Sequence, residues 1–174
     1  MSTWTDLRTL RLRLRKPNAA DLHAVFAVHG DPQTNTFNPD GPLGDLAGAA
    51  RLLDRWRADW SERGIGYWAV ELAAGPAEVV GFGGLRWKTW QNREVLNLYF
   101  RLRPQVWGQG LAVELGRTAV DTAFRQLDVE EIVGATRHDN RPSIATLKRI
   151  GLQPDGTQMD DSGSSLLFRI RREA

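Results

Sequence analysis

Two short stretches hold the residues whose types and spacing could do chemistry. The first is Gln105-Val106-Trp107-Gly108-Gln109-Gly110, set between a strand-like VLNLYFRL and a helix-like VELGRTAVDTAFRQL. Glycines at a strand-to-helix junction let the backbone adopt positive φ and come close to a ligand. The helix that follows offers unpaired N–H groups and the positive end of its dipole. Together these can cradle a phosphate or pyrophosphate, with Arg103 or Gln105 to supplement them. The stretch lacks the Gly-Lys-Ser/Thr of a Walker motif, and also the third glycine and acidic partner of a Rossmann fingerprint. Spacing alone therefore leaves anion binding and a tight turn both open. The second stretch holds Asn140 and Ser143, three apart at a helix start and so on one helix face. They can hydrogen-bond a ligand, or cap the helix as Asn and Ser commonly do.

The elements that must position these residues are legible in the periodicity. LRLRLRK (10–16) alternates leucine with arginine, a half-buried strand with one guanidinium-lined, solvated face rather than a nucleic-acid patch. A helix follows, with Leu22, Val25, Phe26 and His29 at helical spacing and Gly30 at its end. The polar, turn-rich stretch 31–44 is a loop long enough to suggest a functional role. A second amphipathic helix runs from Asp45 to Glu62. Strands are predicted at 67–72, 78–87 and 92–102, then a helix at 111–127 anchored by Leu111, Leu115, Ala119, Ala123 and Leu127. A strand at 130–137, a short helix at 141–150 stopped by Gly151, and a strand at 164–172 complete the order β-α-α-β-β-β-α-β-α-β. The expectation is an α/β chain with a mixed sheet, in which strands 92–102 and 130–137 flank one crossover helix and run parallel.

Composition narrows the class. The 174 residues carry a formal charge of only +2 and suit one domain with its own core. With no cysteine there is no disulfide framework, thiol nucleophile or thiolate metal site. His23, His29 and His138 lack zinc-ligand spacing, so no metal is expected. The apolar runs are too short for a membrane span, and the N-terminus lacks a signal-peptide core. A cytoplasmic protein is the expectation.

Three motifs in register resemble the GNAT superfamily of acetyl-CoA-dependent N-acetyltransferases, and within it the RimJ/RimL branch, which acetylates protein N-termini and other amines. They are the opening LRTLRLRLRKPNAAD, the junction RPQVWGQGLAVE, and HDNRPSIATLKRIGL. The resemblance spans nearly the whole chain. It implies one domain over 1–174, with a mixed, mostly antiparallel sheet, a central splayed parallel pair and helices on both faces. It implies acetyl-CoA as cofactor, its pyrophosphate on the backbone of Gln105, Val106, Trp107, Gly108, Gln109, Gly110, Leu111 and Ala112. Phe100 and Leu102, at the end of their strand, would hydrogen-bond the pantetheine arm where the parallel strands part. Asn140 matches a residue that contacts pantetheine, Ser143 the hydroxyl near the thioester sulfur, and Lys148 a lysine near the cofactor. In such acyl transfer a strand N–H stabilises the oxyanion, and the Ser143 hydroxyl protonates the departing thiolate.

The pattern departs from the family at one point. Many relatives carry a glutamate where this chain has Asn97, which cannot take a proton. Glu94 is the nearest carboxylate and the candidate base, acting through a water; otherwise another carboxylate enters from the 31–45 loop, or no dedicated base exists. Without a dedicated base, an acceptor α-amine with pKa near 8 needs little help. The leading expectation for the acceptor is a protein or peptide N-terminal α-amine. The alternatives are a small amine such as an aminoglycoside, held by Asp31, Asp40 and Asp45, and a coenzyme-A-binding sensor without turnover. Trp87 and Trp90 beside Lys88 offer an acceptor wall or a homodimer contact.

Overall fold

The computed structural model describes residues 4–90, 92–160 and 162–173. Its frame is an eight-stranded sheet: β1 (Asp6–Arg8), β2 (Leu12–Arg15), β3 (Tyr67–Leu72), β4 (Val79–Trp90), β5 (Arg93–Leu102), β6 (Glu131–Thr136), β7 (Gln153–Asp160) and β8 (Gly163–Arg171). The spatial order is β1-β2-β3-β4-β5-β6-β8-β7. Four helices cover it: α1 (Leu22–His29), α2 (Leu46–Arg63), α3 (Leu111–Gln126) and α4 (Arg141–Ile150). The predicted α/β class and element order hold, with two strands added.

Both added strands lie at sheet edges, where sequence signals are weakest. β1 is three residues long and pairs only with β2. β7 contains Pro154 and Gly156, which read as turn signals. It tolerates them because it pairs only with β8 and slips register between Pro154 and Thr157, with Gly156 at φ +87°. β4 also continues three residues past its expected end, to Trp90.

Period-two alternation sends successive side chains to opposite faces. On β3, Trp68 and Val70 join the core under α3 and α4, while Tyr67 and Ala69 join the core under α1 and α2. On the first face α3 buries Leu111, Leu115, Ala119 and Ala123, as its predicted ridge requires. On the second, α1 and α2 bring Val25, Val28, Leu53 and Trp56 against Tyr67, Val79 and Phe82. Aspartate caps α2, with Asp45 Oδ1 accepting from Gly48 N–H at 2.7 Å, and Gly64 ends it at φ +70°.

α3 and α4 touch closely. A Cβ at Gly116 would stand 2.2 Å from Ile150 Cδ1, so a larger residue there would force the Ile150 side chain to move. Arg117 adds two donors to the Arg149 carbonyl, at 3.2 and 2.7 Å. Among the described residues no helix is long and apolar enough to cross a membrane. No group of three or more His, Cys, Asp or Glu side chains among them could hold a metal ion.

Candidate active site

β5 and β6 are parallel, and they pair at only two positions, Leu96 with Ile132 and Asn97 with Val133. Beyond Asn97 they part. The phase of the β4–β5 ladder then decides which backbone groups face the gap. Arg103 N–H donates to the Val80 carbonyl at 2.7 Å, so the odd-numbered residues of β5 bond to β4. Their even-numbered neighbours Phe100 and Leu102 turn N–H and C=O the other way. The Leu102 carbonyl accepts from Trp107 Nε1–H at 2.7 Å, while Phe100 is left with both groups toward the gap.

That gap opens into a cavity of about 870 Å³. β5 contributes Asn97 to Leu102, the glycine junction contributes Val106, Trp107, Gly108 and Gly110, and α4 contributes Asn140 and Ser143. A third wall comes from the loop between α1 and α2, including Thr34, Phe37 and Asp40. The long loop singled out by its length therefore does face the site.

Gly108 and Gly110 sit at φ +73° and +76°, the left-handed region that favours glycine. A Cβ at Gly108 would meet nothing within 4 Å, so conformation, not space, demands glycine there. Gly110 is the N-cap of α3 and supplies no side-chain acceptor. The first helical bond runs from Glu114 N–H to the Gly110 carbonyl at 3.1 Å, so the N–H groups of Leu111, Ala112 and Val113 precede it. Three such donors at a helix start make a site for an anion. Arg103 plays no part in it, being ion-paired with Glu78.

Asn140 caps α4, its Oδ1 accepting from Ser143 N–H at 3.2 Å. The Ser143 hydroxyl has no recorded partner among the described residues and faces the cavity. The structure thus brings together Phe100, Leu102, Val106, Trp107, Gly108, Gly110, Leu111, Ala112, Asn140 and Ser143. It does not bring in Gln105, Gln109, Lys148 or Glu94, none of which lines the cavity. Gln105 and Gln109 face solvent, as does Lys148 on the outer side of α4. Glu94, near the start of β5, accepts from Thr89 Oγ1 at 2.7 Å and pairs with Arg63. Those two contacts hold its carboxyl below the usual range and face it away from the site. Trp87 and Trp90 also lie outside the lining, each under an arginine.

Sequence reasoning missed a row on the α1 side of β5. Tyr99 lines the cavity and stacks on Tyr67 at 4.7 Å between centroids. Its hydroxyl lies 2.9 Å from Nε2 of His29, a residue read only as part of a helical face. His29 Nδ1 stands 3.2 Å from the Val25 carbonyl, which places the ring proton on Nδ1 and makes Nε2 the acceptor of the Tyr99 O–H. Burial, with the nearby Arg101 charge, pushes His29 down to about 3, so it is a neutral support and not a base. Arg101 donates to Asn35 Oδ1 at 2.7 Å and lies over the Tyr99 ring. The spacing of these residues along the chain carries no signal.

Residues 11–153 match the family model described as the acetyltransferase (GNAT) domain. An uncharacterized N-acetyltransferase of Bacillus subtilis strain 168, YoaA, is 25% identical over 151 residues, 86% of this chain and 84% of its own. An acetyltransferase structure from Agrobacterium tumefaciens strain C58 superposes with a TM-score of 0.82 at 27% identity, over 96% of this chain and 94% of the other. A spermidine N-acetyltransferase from Vibrio cholerae, in complex with CoA and spermine, shares the fold with a TM-score of 0.75 at 15% identity, over 94% and 96%. With most of its length matched and its sheet splayed over a glycine-built helix start, the chain belongs to the GNAT acetyltransferase family, acyltransferases that use acetyl-CoA.

Proposed function

We propose that this protein acetylates primary amines that are already neutral near physiological pH, with protein or peptide N-terminal α-amines as the leading class. One observation carries this reading: Asn97, the last residue of the β5–β6 ladder, lines the cavity where the strands part. An amide there cannot take a proton, Glu94 is turned toward Arg63 and Thr89, and Asp40, the carboxylate that does line the cavity, is exposed on the loop wall. The similarity of its motifs to the RimJ/RimL branch supports α-amines as acceptors.

The residues fit acetyl-CoA. The amides of Leu111, Ala112 and Val113 suit its pyrophosphate, and the free N–H and C=O of Phe100 suit its pantetheine amides. Bound there, the cofactor supplies an activated acetyl thioester. Asn140 would orient the arm from the α4 side, and the Ser143 hydroxyl would pass its proton to the departing sulfur while recovering one from the nitrogen as the amide forms. The Tyr99 hydroxyl, its proton committed to His29 and its oxygen approached by Arg101, presents a fixed polar group to the incoming amine.

The test is a thiol-release assay across pH on an N-terminal α-amine peptide and a lysine side-chain peptide. kcat/KM should rise through the acceptor's own pKa, near 8 for the α-amine and above 10 for lysine. Glu94→Gln should leave that profile unchanged. A loss of roughly 10²-fold on Glu94→Gln would restore Glu94 as the base and defeat the reading.

A further inference from the structure

We infer that the acceptor carries a carboxylate, and that Arg101 is the residue that binds it. This rests on the acetyltransferase reading and names the acceptor class of the same site.

Most arginines on this side of the sheet have a carboxylate partner. Arg15 pairs with Asp21 and Glu71, Arg63 with Glu94, and Arg86 with Asp59. Arg101 is half-buried, lines the cavity, and has no carboxylate within ion-pair distance among the described residues. One of its N–H groups is spent on Asn35 Oδ1, and its Cζ lies 5.8 Å from the centre of the Tyr99 ring. These contacts fix the head group, while a guanidinium has five N–H donors in all. A half-buried charge left without a counter-ion is costly, and an arriving carboxylate relieves it.

The anion it awaits is not the one at the glycine junction. Arg101 stands across from Phe82 in the β4–β5 register, and Phe82 lies in the core under α1 and α2. α3, with its free amides, packs on the opposite face. The anchor Asn35 belongs to the loop after α1, which supplies the third wall. Lys88, exposed and also lining the cavity, adds a second cation without an ion pair among the described residues.

The acids that would welcome a polyamine are largely engaged elsewhere. Asp31 accepts from Gln33 N–H at 2.8 Å, and Asp45 caps α2. Of these three, Asp40 alone lines the cavity. An α-amine with a carboxylate nearby, either a free amino acid or a peptide with an acidic residue close to its N-terminus, matches this wall.

The experiment is calorimetric titration of CoA-saturated protein, in which no turnover occurs, with two matched pairs. Ala-Glu-amide against Ala-Gln-amide tests a side-chain carboxylate, and alanine against alaninamide tests the α-carboxylate. In at least one pair the carboxylate member should bind about 10-fold or more tightly, and Arg101→Gln should erase the difference. CoA affinity should stay unchanged in Arg101→Gln, and the variant should remain folded. Equal binding within both wild-type pairs overturns the inference without recourse to any variant. So does a loss of CoA affinity in a folded Arg101→Gln, which would place the guanidinium on the cofactor. Absence of thiol release with every amine would instead sink the acetyltransferase reading, leaving the binding comparison intact.

Discussion

Arg11, in the turn that leads into β2, and Glu114, in the first turn of α3, are joined by a doubled contact. Arg11 Nε donates to Glu114 Oε2 at 2.7 Å, and the Arg11 backbone N–H donates to Oε1 at 2.8 Å. The same guanidinium donates to the Gln109 carbonyl at 2.7 Å, inside the glycine junction. Part of what reads in sequence as a solvated arginine face is thus a brace for the glycine junction. Arg11→Ala should weaken acetyl-CoA binding roughly 3- to 10-fold, the equivalent of about one ordinary hydrogen bond. Its cost to global stability should be about 1 kcal/mol or less, because the pair is partly exposed. Thermal shift with and without acetyl-CoA separates the two effects.

Gly110→Val should remove the acetyl-CoA-induced rise in Tm. A β-branched residue resists φ +76°, at a cost of about 1–2 kcal/mol, and it crowds the amides that follow. A folded variant that binds coenzyme A as the wild type does would refute the cradle.

Ser143→Ala should lower kcat about 10²-fold with little change in acetyl-CoA affinity, since a proton is needed only as the C–S bond breaks. Asn140→Ala should behave differently, losing about 0.5–2 kcal/mol of stability with the α4 cap. Steady-state kinetics and denaturant unfolding on the two variants distinguish the roles. Wild-type turnover in Ser143→Ala would leave that residue as part of a helix start only.

His29 should make stability fall on acidification. Its ordinary pKa is 6.5, and in the fold burial and Arg101 hold it near 3. Between those values the unfolded chain binds a proton that the native state refuses, so stability declines by up to about 1.4 kcal/mol per pH unit. Above pH 7 the contribution is flat. Glu114 adds a smaller slope at lower pH. Burial raises its pKa, but hydrogen bonds from Thr9 and Arg11 outweigh this and leave it lowered. That support is complete at neutral pH and lost as pH falls through the depressed value. Urea unfolding from pH 7.5 to 4.5 should show the slope, and His29→Gln should flatten its upper part. A parallel slope in His29→Gln would contradict this account.

Much of the site was legible in the chain because its parts are local. A glycine junction, a helix start and a cap are set by neighbours a few residues apart, so the glycine-built start of α3 and the Asn140 cap of α4 could be read directly, though not that Gln105 and Gln109 stay outside the cavity. The crossover likewise implied the parallel pair. What could not be read is assembled across the fold. His29, Asn35, Tyr99 and Arg101 come from two chain segments that meet only once α1 packs on β5. Glu94 looked available because its strand position is near Asn97, whereas Arg63 of α2 claims it. β7 was hidden by Pro154 and Gly156, residues that an edge strand with a bulge accommodates.

The close seat of Ile150 against Gly116 has a mechanical consequence. The helix whose first amides open on the cavity and the helix that carries Ser143 meet where the Ile150 side chain seats on Gly116, so a shift of one carries the other. If the cleft widens to admit acetyl-CoA and release spent coenzyme A, the wall left to yield is the opposite one, the loop between α1 and α2. The pace of turnover is then set by that loop's opening when chemistry is fast, and a bulkier residue at position 116 would loosen the wall that has to stay still.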